Sequence, residues 1–439
     1  MFNMGNTGLR EADYGSTGRA SQERSRCREM IPVPFNGNHE RIHAMIRHIL
    51  THAALMLAPL AALLACAGRS FAAEATGIDC TPPIVGASRW DAWYGESGPV
   101  KHTETSLGPP KYHFRLPWFA RVVGEGKVRI NGDSQEILEK EIAYAAAGLN
   151  YWAFVDYWDD TNMSIALRRY RAAKDKRGVR YCFVEEGARL DAVGVCGWAR
   201  LVEHFKDPNY QTVLDGRPLL FAFVKPQRLG RTEWQELGAA AAAGIKRPYL
   251  VLMGWQPEQD VKDMKALGFD AVSAYSGGGS YSMEPPPFAQ QCAAIRRDCW
   301  EKCRALRIPS VTFASAGWDT RPRNERPPPW ITWVGAGTPD NTPPAQQKLL
   351  IDAVTATPDE LAAHLREAVD WTQRNRDINP SNAIILYAWN ENDEGGWLIP
   401  TLGADGLPNE ERIKALSKVL RASSSLTPST PTPTPSPRP

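Results

Sequence analysis

The sequence predicts an α/β fold, and within that class a (β/α)8 TIM barrel built as a single domain. Eight short apolar runs, rich in Val, Ile, Tyr and Phe, alternate with helical stretches over about 340 residues between Cys80 and Arg421. The interiors of these runs are almost continuously apolar, which is typical of parallel strands that are covered on both faces. Eight alternations of strand and helix within one domain indicate a closed barrel.

Each element carries a local signal. The predicted strands are 84–94, 149–158, 180–187, 217–224, 248–255, 270–276, 310–319 and 383–392. The predicted helices are 133–148, 162–176, 191–205, 232–244, 257–267, 287–306, 358–375 and 409–421. The first of these helices opens on an Asp–Ser cap and ends at Gly148, and the helix at 358–375 starts with Pro358 and repeats apolar residues at helical spacing.

A doubly wound open sheet is the alternative architecture. Such a sheet usually carries a glycine-rich phosphate-binding turn after its first strand. Here that place reads RWDAWYGESG, from Arg89 to Gly98, which lacks the required glycine spacing. The barrel is therefore the favoured fold.

The N-terminal region is predicted to lie outside the fold. Residues 1–44 are polar and Arg-rich, and we interpret them as a disordered or mis-assigned upstream extension. Residues 45–75 have the basic start, the apolar run and the small residues of a signal peptide. The apolar run, Ala53–Cys66, is short for a transmembrane helix. These features predict a secreted or periplasmic protein.

The two ends of the exported chain have further signals. LLAC at Leu63–Cys66 resembles a lipoprotein box, so a lipid anchor at Cys66 and an outer-membrane location form the alternative to simple export. Residues 76–422 are predicted to form the catalytic barrel. Residues 423–439 are rich in Pro, Thr and Ser, and we expect them to form a disordered tail.

The cysteines of the exported region fit an oxidising compartment. Six cysteines is an even number, so disulfides are permitted there. Cys182 with Cys196, and one pair among Cys292, Cys299 and Cys303, are the local candidates. Zinc is the alternative, but the spacing matches no usual zinc pattern and no histidine is suitably near.

The overall composition limits which classes of ligand the protein is expected to bind. Lys and Arg number 51 against 49 Asp and Glu, and this balance gives no reason to expect nucleic acid. Tryptophan is abundant at 15 residues, and indole faces stack on sugar rings, although tryptophan also fills cores. Histidine is absent from the predicted strand ends, so we expect no catalytic metal and no cofactor, with a structural Ca²⁺ left open.

The chemistry of the sequence gathers where the predicted strands end, and this is where barrel enzymes place their sites. Nearly every strand delivers an aromatic or a carboxylate there. Singly, such residues are often helix caps or ion-pair partners. Together they favour a carbohydrate cleft, in which aromatics stack on ring faces and polar groups hold hydroxyls. The candidate substrate-binding residues are Trp90, Asp91, Trp93, Tyr94, Asp156, Tyr157, Trp158, Glu185, Glu186, Trp255, Tyr275, Trp318, Asp319, Arg321, Trp389, Asn390 and Trp397.

The last strand run makes the sequence recognisable. YAWNENDEGGWLIP, which ends at Pro400, resembles the WNEW-x-EG signature of glycoside hydrolase family 99 and its WbsX-like relatives. These are (β/α)8 proteins that include endo-α-mannosidases. WDAWYG, LDGRPLLFAFV and VTFASAGWDTRPR agree with the same group, so the resemblance covers nearly the whole exported barrel.

The resemblance implies that Glu391 and Glu394 are the catalytic pair. In that family the first glutamate is a base on the sugar's own 2-hydroxyl, which forms an anhydro sugar, and the second protonates the leaving oxygen. Crowding of carboxylates is expected to keep the proton on Glu394. Asn392 and Asp393 depart from the signature, so the sugar is not carried over. A double-displacement mechanism, in which Glu391 acts together with Glu186 or Asp156, is an alternative that stays open.

The sequence thus predicts an exported glycoside hydrolase that acts on an α-linked polysaccharide or oligosaccharide, with retention of configuration. The alternative is a non-hydrolytic glycan-binding or surface-polysaccharide assembly protein on the same barrel, since WbsX-like relatives occur in surface-polysaccharide loci. A glycosyltransferase is a third interpretation, which export disfavours because nucleotide sugars are scarce outside the cell.

Overall fold

The computed structural model of the chain describes residues 81–96, 98–157, 161–187, 195–223, 244–277, 285–328 and 354–424. Several predictions fall outside these residues. They are the upstream extension, the signal peptide with Cys66, Trp158, the helix at 232–244 and nearly all of the tail. Those predictions stay predictions.

Eight parallel strands form the wall of a barrel, as predicted. In chain order they are β1 (Ile84–Arg89), β2 (Tyr151–Val155), β3 (Arg180–Glu186), β4 (Arg217–Phe223), β5 (Tyr249–Met253), β6 (Ala271–Ser273), β7 (Thr312–Ser315) and β8 (Ala383–Tyr387). Their order in the sheet is β7, β8, β1, β2, β3, β4, β5, β6, and every neighbouring pair is parallel. The fold class is therefore confirmed.

The barrel closes between β6 and β7. A parallel bridge joins Val272 to Ser310, just before β7 begins. The Val272 N–H donates to the carbonyl of Pro309 at 2.9 Å, and the Val311 N–H donates to the carbonyl of Val272 at 2.9 Å. These two bonds turn the open order of the sheet into a ring.

The helices lie between the strands. They are α1 (Gly98–Leu107), α2 (Gln135–Ala145), α3 (Ile165–Ala172), α4 (Val195–Phe205), α5 (Pro257–Leu267), α6 (Phe288–Ile295), α7 (Lys302–Ala305), α8 (Arg321–Glu325), α9 (Pro358–Arg374) and α10 (Glu411–Ser424). A π-helical segment, Arg296–Glu301, joins α6 to α7. The sequence did not predict α1 or α8, because α1 has few apolar residues and α8 is a five-residue segment beginning Arg-Pro.

Shorter elements complete the framework. The 3-10 segments are Pro110–Arg115, Asn162–Ser164 and Asn392–Glu394. The short antiparallel pairs are Arg121–Gly124 with Lys127–Arg129, Asn390–Glu391 with Gly396–Trp397, Thr401–Leu402 with Pro408–Asn409, and Thr212–Val213 with β4. The pair that follows β8 carries the acidic stretch.

Helix α9 shows how a local signal fixes an element. The Thr357 side chain accepts from the Glu360 N–H, and the Glu360 carboxylate accepts from the Thr357 N–H at 2.9 Å, which is a capping box. Pro358 occupies the first helical position, where no intrahelical N–H bond is lost. The helix then buries its apolar stripe, including Leu361 and Leu365, against the barrel.

The barrel interior is packed with large aromatic side chains. Gly86 on β1 lies against the ring of Tyr151, so a Cβ at this position would come within 2.2 Å of a ring atom. The Tyr151 hydroxyl donates to the Ile384 carbonyl at 2.9 Å on β8. Glycine at this position therefore lets one tyrosine from β2 pass β1 and reach β8.

The predicted local disulfides are wrong for the described cysteines. Cys182 is free and buried on β3, and the Cys196 side chain lies outside the described residues. Cys292, Cys299 and Cys303 are also free, and they lie along the helical stretch from α6 to α7. Residues four apart on a helix have Cβ atoms about 5–6 Å apart, whereas a disulfide needs about 3.5–4.5 Å.

Across the described part of the chain, the helices are all too short or too polar to cross a membrane.

Candidate active site

The acidic stretch after β8 folds into a tight hairpin. Asn390–Glu391 pairs with Gly396–Trp397, and the 3-10 turn between them carries Asp393 and Glu394. Gly395 has φ of +83°, a left-handed conformation that favours glycine. A Cβ there would also come within 2.4 Å of the Asp319 nitrogen. The glycine therefore brings the turn against the loop after β7.

One guanidinium contacts all three carboxylates of this hairpin. Arg323 Nε donates to Asp393 Oδ2 at 2.7 Å, and Arg323 Nη2 donates to Asp393 Oδ1 at 3.1 Å. Arg323 Nη1 donates to Glu394 Oε1, and Nη2 reaches Glu391 Oε2 at 3.3 Å. The guanidinium also lies 4.9 Å from the centre of the Trp90 ring. Such a shared cation lowers the repulsion between carboxylates that a single loop crowds together.

Two tyrosines complete the contacts of the glutamates. The Tyr275 hydroxyl donates to Glu391 Oε1 at 3.0 Å, and the Tyr387 hydroxyl donates to Glu394 Oε2. Each tyrosine holds the glutamate oxygen opposite to the one that Arg323 contacts. Both carboxyl groups are thus fixed in orientation before any substrate arrives.

The pKa values of Glu391 and Asp393 are shifted in opposite directions. Burial raises the pKa of Glu391 well above its ordinary value, and the neighbouring negative charge of Glu394 adds to this effect. The pKa of Asp393 is lowered overall. Burial acts to raise it, but the charge and hydrogen bonds of Arg323 have the larger, opposite effect. The sequence expectation of a raised pKa on Glu394 stays a prediction, and the structure adds a raised pKa on Glu391.

An aromatic wall runs outward from the two glutamates. The Tyr275 ring lies 4.5 Å from that of Phe223 and 5.6 Å from that of Tyr387. Phe223 in turn meets the ring of Trp255 at 5.8 Å, and Trp318 lies 5.4 Å from Tyr387. Trp255 is 44% exposed, so its face is open to solvent at the outer end of the wall.

A second set of contacts joins the ends of β1, β2 and β8. Asn390 Oδ1 accepts from the Trp90 N–H at 2.8 Å, and Asn390 Nδ2 donates to Asp91 Oδ1 at 3.1 Å. The Trp90 indole N–H donates to the Tyr157 hydroxyl at 2.8 Å. These four predicted residues therefore lie together, next to Glu391 along the chain.

Beneath this set lies a fully buried ion network. Arg89 pairs with Asp91 at 2.7 Å and with Glu141 at 3.2 Å. Glu141 also accepts from the Tyr94 hydroxyl at 3.0 Å and from the Trp389 indole N–H at 2.8 Å. Burial raises the pKa of Asp91 to about 6. The rings of Tyr94 and Trp389 are thus buried in protein. These two residues support the site from below and offer no exposed ring face to a sugar.

Trp93 and Trp397 are covered in the same way. Trp93 packs edge-on against Phe119 at 5.8 Å. The Trp397 ring carries the Arg412 guanidinium at 4.1 Å, and Arg412 Nε donates to the Trp397 carbonyl at 3.0 Å. Both tryptophans are almost fully buried, so their ring faces contact protein.

The acids after β2 and β3 form a separate cluster. Asp156 and Glu185 are buried and both pair with Arg200 on α4, Glu185 at 3.7 Å. Glu186 is partly buried beside them on β3. Burial lowers the pKa of Arg200 to about 10.

The loop after β7 supplies the third cluster. Asp319 Oδ1 accepts from Arg321 Nε at 2.7 Å, and Asp319 Oδ2 pairs with Arg115. The pKa of Asp319 is lowered overall. Burial acts to raise this pKa, but the hydrogen bonds and charge of Arg321 and the charge of Arg115 have the larger, opposite effect. The Asp319 N–H donates to the Glu394 carbonyl at 2.7 Å, so this cluster braces the acidic turn.

Among the residues that the structure describes, there is no group of three His, Cys, Asp or Glu side chains that could hold a metal ion. The acids of the site are instead paired with arginines.

Residues 196–406 match the sequence profile of the family described as Glycosyltransferase WbsX. The chain is a WbsX-like (β/α)8 barrel. The matched residues include the end of β8 and both glutamates of the hairpin, which are the residues that carried the resemblance in the sequence.

Solved structures that are similar to this WbsX-like barrel include glycoside hydrolases. The family 99 endo-α-mannosidase of Bacteroides thetaiotaomicron is 15% identical, with a TM-score of 0.47 over 78% of this chain and 97% of its own. A family 5 mannosidase of Rhizomucor miehei is 11% identical, with a TM-score of 0.37 over 78% and 94% of the two chains. These likenesses are too distant to transfer an activity. No curated protein sequence matches the chain.

The sequence reasoning on this WbsX-like barrel missed several arginines and one acid. Arg323, Arg115 and Arg200 each pair with predicted site acids, and Glu141 supports Trp389 from α2. A signal did exist for Arg323, because three carboxylates within four residues require a cation nearby. TRPR offers Arg321 and Arg323 together, and the prediction kept only Arg321.

Proposed function

We propose that this chain is an exported glycoside hydrolase that cleaves an α-linked polysaccharide or oligosaccharide, with Glu391 and Glu394 as its acid–base pair. The observation that carries the proposal is the unlike pair at the barrel mouth. Arg323 contacts both glutamates, but Glu391 is buried and has a raised pKa, whereas Glu394 is partly exposed. Two carboxyl groups held in unlike environments are what glycosidic cleavage requires of its acid and its base.

The surroundings of the pair suit a sugar substrate. The aromatic wall from Tyr275 to Trp255 offers ring faces, and its outer tryptophan is exposed. Polar groups of Asn390 and Trp90 stand beside Glu391. Each correctly placed proton-transfer group contributes about 10²- to 10⁴-fold to the rate. The α linkage and retention of configuration are carried into the proposal from the family resemblance.

Export is the second part of the proposal, and it rests on the signal peptide that the sequence predicts at 45–75. Expression of the full chain in a Gram-negative host, followed by fractionation and N-terminal sequencing, tests it. We expect a shortened chain in the periplasm or medium. A full-length chain that stays in the cytoplasm would contradict it, and a lipid-modified Cys66 would establish the alternative.

The hydrolase proposal is tested by release of reducing ends from a panel of bacterial and plant polysaccharides. The wild-type protein is compared with Glu391→Gln and Glu394→Gln, and with Glu203→Gln as a control, because Glu203 is exposed on α4. We expect both hairpin variants to lose turnover while they still bind the glycan, and the control to keep full activity. A wild-type protein that releases no reducing ends would sink the proposal.

Glycosyl transfer is a second candidate, which the description of the matched family favours. The same acid–base pair can activate a sugar hydroxyl instead of water, so one site serves either acceptor. Incubation with nucleotide sugars and oligosaccharide acceptors distinguishes the two. Release of the nucleotide with a lengthened acceptor identifies a transferase. If the protein binds a glycan but neither hydrolyses it nor transfers a sugar to it, the function that remains is non-hydrolytic glycan binding or surface-polysaccharide assembly.

A further inference from the structure

The base of the barrel, where the strands begin, carries an excess of exposed positive charge. All eight strands run in one direction, so the segments that lead into β3, β4 and β5 lie together at the end opposite the mouth. Residues 171–180, 206–217 and 244–247, all of them described, contain nine Lys and Arg against three Asp. The exposed cations among them, which we call the basal patch, are Lys174, Arg177, Arg180, Lys206, Lys246 and Arg247.

Backbone and side-chain contacts bring the three segments side by side. The Tyr181 N–H, next to Arg180 at the start of β3, donates to the Asn209 carbonyl at 3.0 Å. The ammonium of Lys246 donates to the Asp215 carbonyl. The basal patch is therefore one continuous surface that extends from the start of β3 to the start of β5.

The acids of this region offset only part of the charge. Asp207 and Asp270 lie among the cations, but their side chains are only 15% and 17% exposed. The exposed acids beside the patch are Asp175, Asp215 and Glu203. Six exposed cations thus stand with three exposed acids, and the outer face of this region is positive.

Helix stability does not account for the patch. Cations at the C-terminus of a helix interact favourably with the helix dipole, but this effect falls off within the last turn. Helix α3 ends at Ala172, whereas Arg177 and Arg180 lie well beyond it. Their position therefore calls for another explanation, and an anionic partner supplies one.

An apolar side chain stands beside the cations. Leu214 lies in the turn between Thr212–Val213 and β4, with φ of +42°, a left-handed conformation that leucine rarely adopts. It is nevertheless 37% exposed, and the carbonyl of the next residue, Asp215, accepts from Lys246. A bilayer interface accommodates such a pair, because the leucine enters the acyl boundary while the lysine stays among the headgroups. A polysaccharide or a nucleic acid offers no comparable apolar layer.

The chain enters the barrel at the same end. Asn382, just before β8, donates through Nδ2 to the carbonyls of Thr81 and Pro82 at 3.2 Å and 3.1 Å. The predicted signal peptide and Cys66 precede this point in the sequence. The acidic hairpin after β8 lies at the opposite end, so a surface that covers the base leaves the mouth open.

We propose that the basal patch and Leu214 dock this barrel on the anionic headgroups of a membrane, with the mouth facing away from the lipid. The cations bind lipid phosphates, and Leu214 adds a small apolar contact. This peripheral docking needs no membrane-spanning segment, and it stands apart from the hydrolase proposal because no step of it involves the glutamates.

Sedimentation with lipid vesicles tests the docking. The full chain is mixed with vesicles of phosphatidylcholine, either pure or with one third phosphatidylglycerol. We expect tighter binding to the anionic vesicles, and a loss of that difference as salt shortens the Debye length below about 10 Å. Each cation at an anionic surface strengthens binding about fivefold, so the combined variant Lys174→Gln, Arg177→Gln and Lys246→Gln should bind about 100-fold more weakly.

The matched control removes the same number of exposed cations from the mouth end of the barrel. It combines Lys101→Gln, Arg121→Gln and Lys127→Gln, on the segment between β1 and α2 that contacts the acidic hairpin through Ser106. We expect this variant to bind anionic vesicles as the wild-type protein does. Any contribution of residues 53–66 is common to all the proteins compared and cancels. Equal thermal midpoints of the variants show that all of them fold.

Leu214 is tested by Leu214→Asn, since asparagine tolerates the left-handed conformation. About a third of the side chain becomes newly buried on docking, so we expect anionic-vesicle binding to weaken about three- to sixfold. Leu407→Asn is the control, because Leu407 is 63% exposed between β8 and α10, away from the base. An equal effect of the two substitutions would remove Leu214 from the docking surface.

Three results would overturn the proposal. The first is equal binding of the wild-type protein to neutral and anionic vesicles at low salt. The second is an equal loss of binding in the basal and control variants. The third is binding to a soluble acidic polysaccharide, polygalacturonate, that depends on the basal patch while anionic vesicles stay unbound, which would make the partner a polymer. None of these results depends on whether the protein cleaves a glycan, so the hydrolase proposal stands or falls separately.

Discussion

Glu141→Gln tests whether the buried ion network supports the site through its charge. Glu141 and Arg89 are both fully buried and lie 3.2 Å apart. The carboxylate also accepts hydrogen bonds from Tyr94 and Trp389 at 3.0 Å and 2.8 Å. Glutamine keeps the size of the side chain but replaces one acceptor oxygen with a donor, so one of these partners then faces another N–H.

The magnitude follows from these contacts. Removing one partner of a buried ion pair costs about 3–5 kcal/mol, because the other charge stays buried. Arg89 keeps Asp91 at 2.7 Å, so we expect the lower end, about 3 kcal/mol of unfolding free energy. Urea unfolding followed by tryptophan fluorescence measures it, over a range in which unfolding and refolding curves coincide.

Glu203→Gln is the matched control. Glu203 pairs with Lys206 at 2.8 Å, but both side chains are exposed, and a pair of this kind contributes at most about 1 kcal/mol. If Glu141→Gln is no more destabilising than this control, the network does not stabilise the barrel by its buried charge, and the reasoning is refuted.

Two further predictions concern the mouth of the barrel. The folded-state pKa of Asp91 is raised to about 6, above its ordinary value of about 4, so folded protein holds a proton there that the unfolded chain releases. Stability should therefore fall as the pH rises from about 4 to about 6, and Asp91→Asn should remove that part of the slope; an unchanged slope in unfolding experiments contradicts it. Trp255→Ala should weaken glycan binding about tenfold, or about 1.4 kcal/mol, in calorimetry without altering the thermal midpoint, whereas the equally exposed Leu306→Ala should change neither. Equal binding by the two variants would remove Trp255 from the sugar-binding surface.

The sequence predicted the barrel because its signal is local. Each strand run is a continuous apolar segment, and a parallel strand covered on both faces needs no knowledge of its neighbours to be recognised. The acidic hairpin was also visible, since Glu391 and Glu394 lie within one recognisable stretch. Strands and hairpins that form from one contiguous stretch of sequence were therefore predictable, together with the residues that they carry.

Side-chain partners were not predictable in the same way. Trp389 lies at a strand end and looks like a stacking surface, yet its indole N–H is bound to Glu141, which is 248 positions away in the sequence. Arg323 sits on a five-residue helix without periodicity, and only folding brings it to the hairpin. Which tryptophans stay open and which arginine neutralises the acids depend on long-range packing.

The closure of the barrel has a consequence for how the molecule comes apart. β6 has three residues, and its two backbone bonds to the segment before β7 complete the ring. Breaking them leaves the other seven strand pairings intact and converts the cylinder into an open sheet. Native-state hydrogen exchange should therefore begin along this line, at Val272 and Val311, well before the amides of β1. Arg323 lies on the segment that follows β7. The first local opening of the barrel, between β6 and β7, should therefore also weaken the contacts of Arg323 with the acidic hairpin.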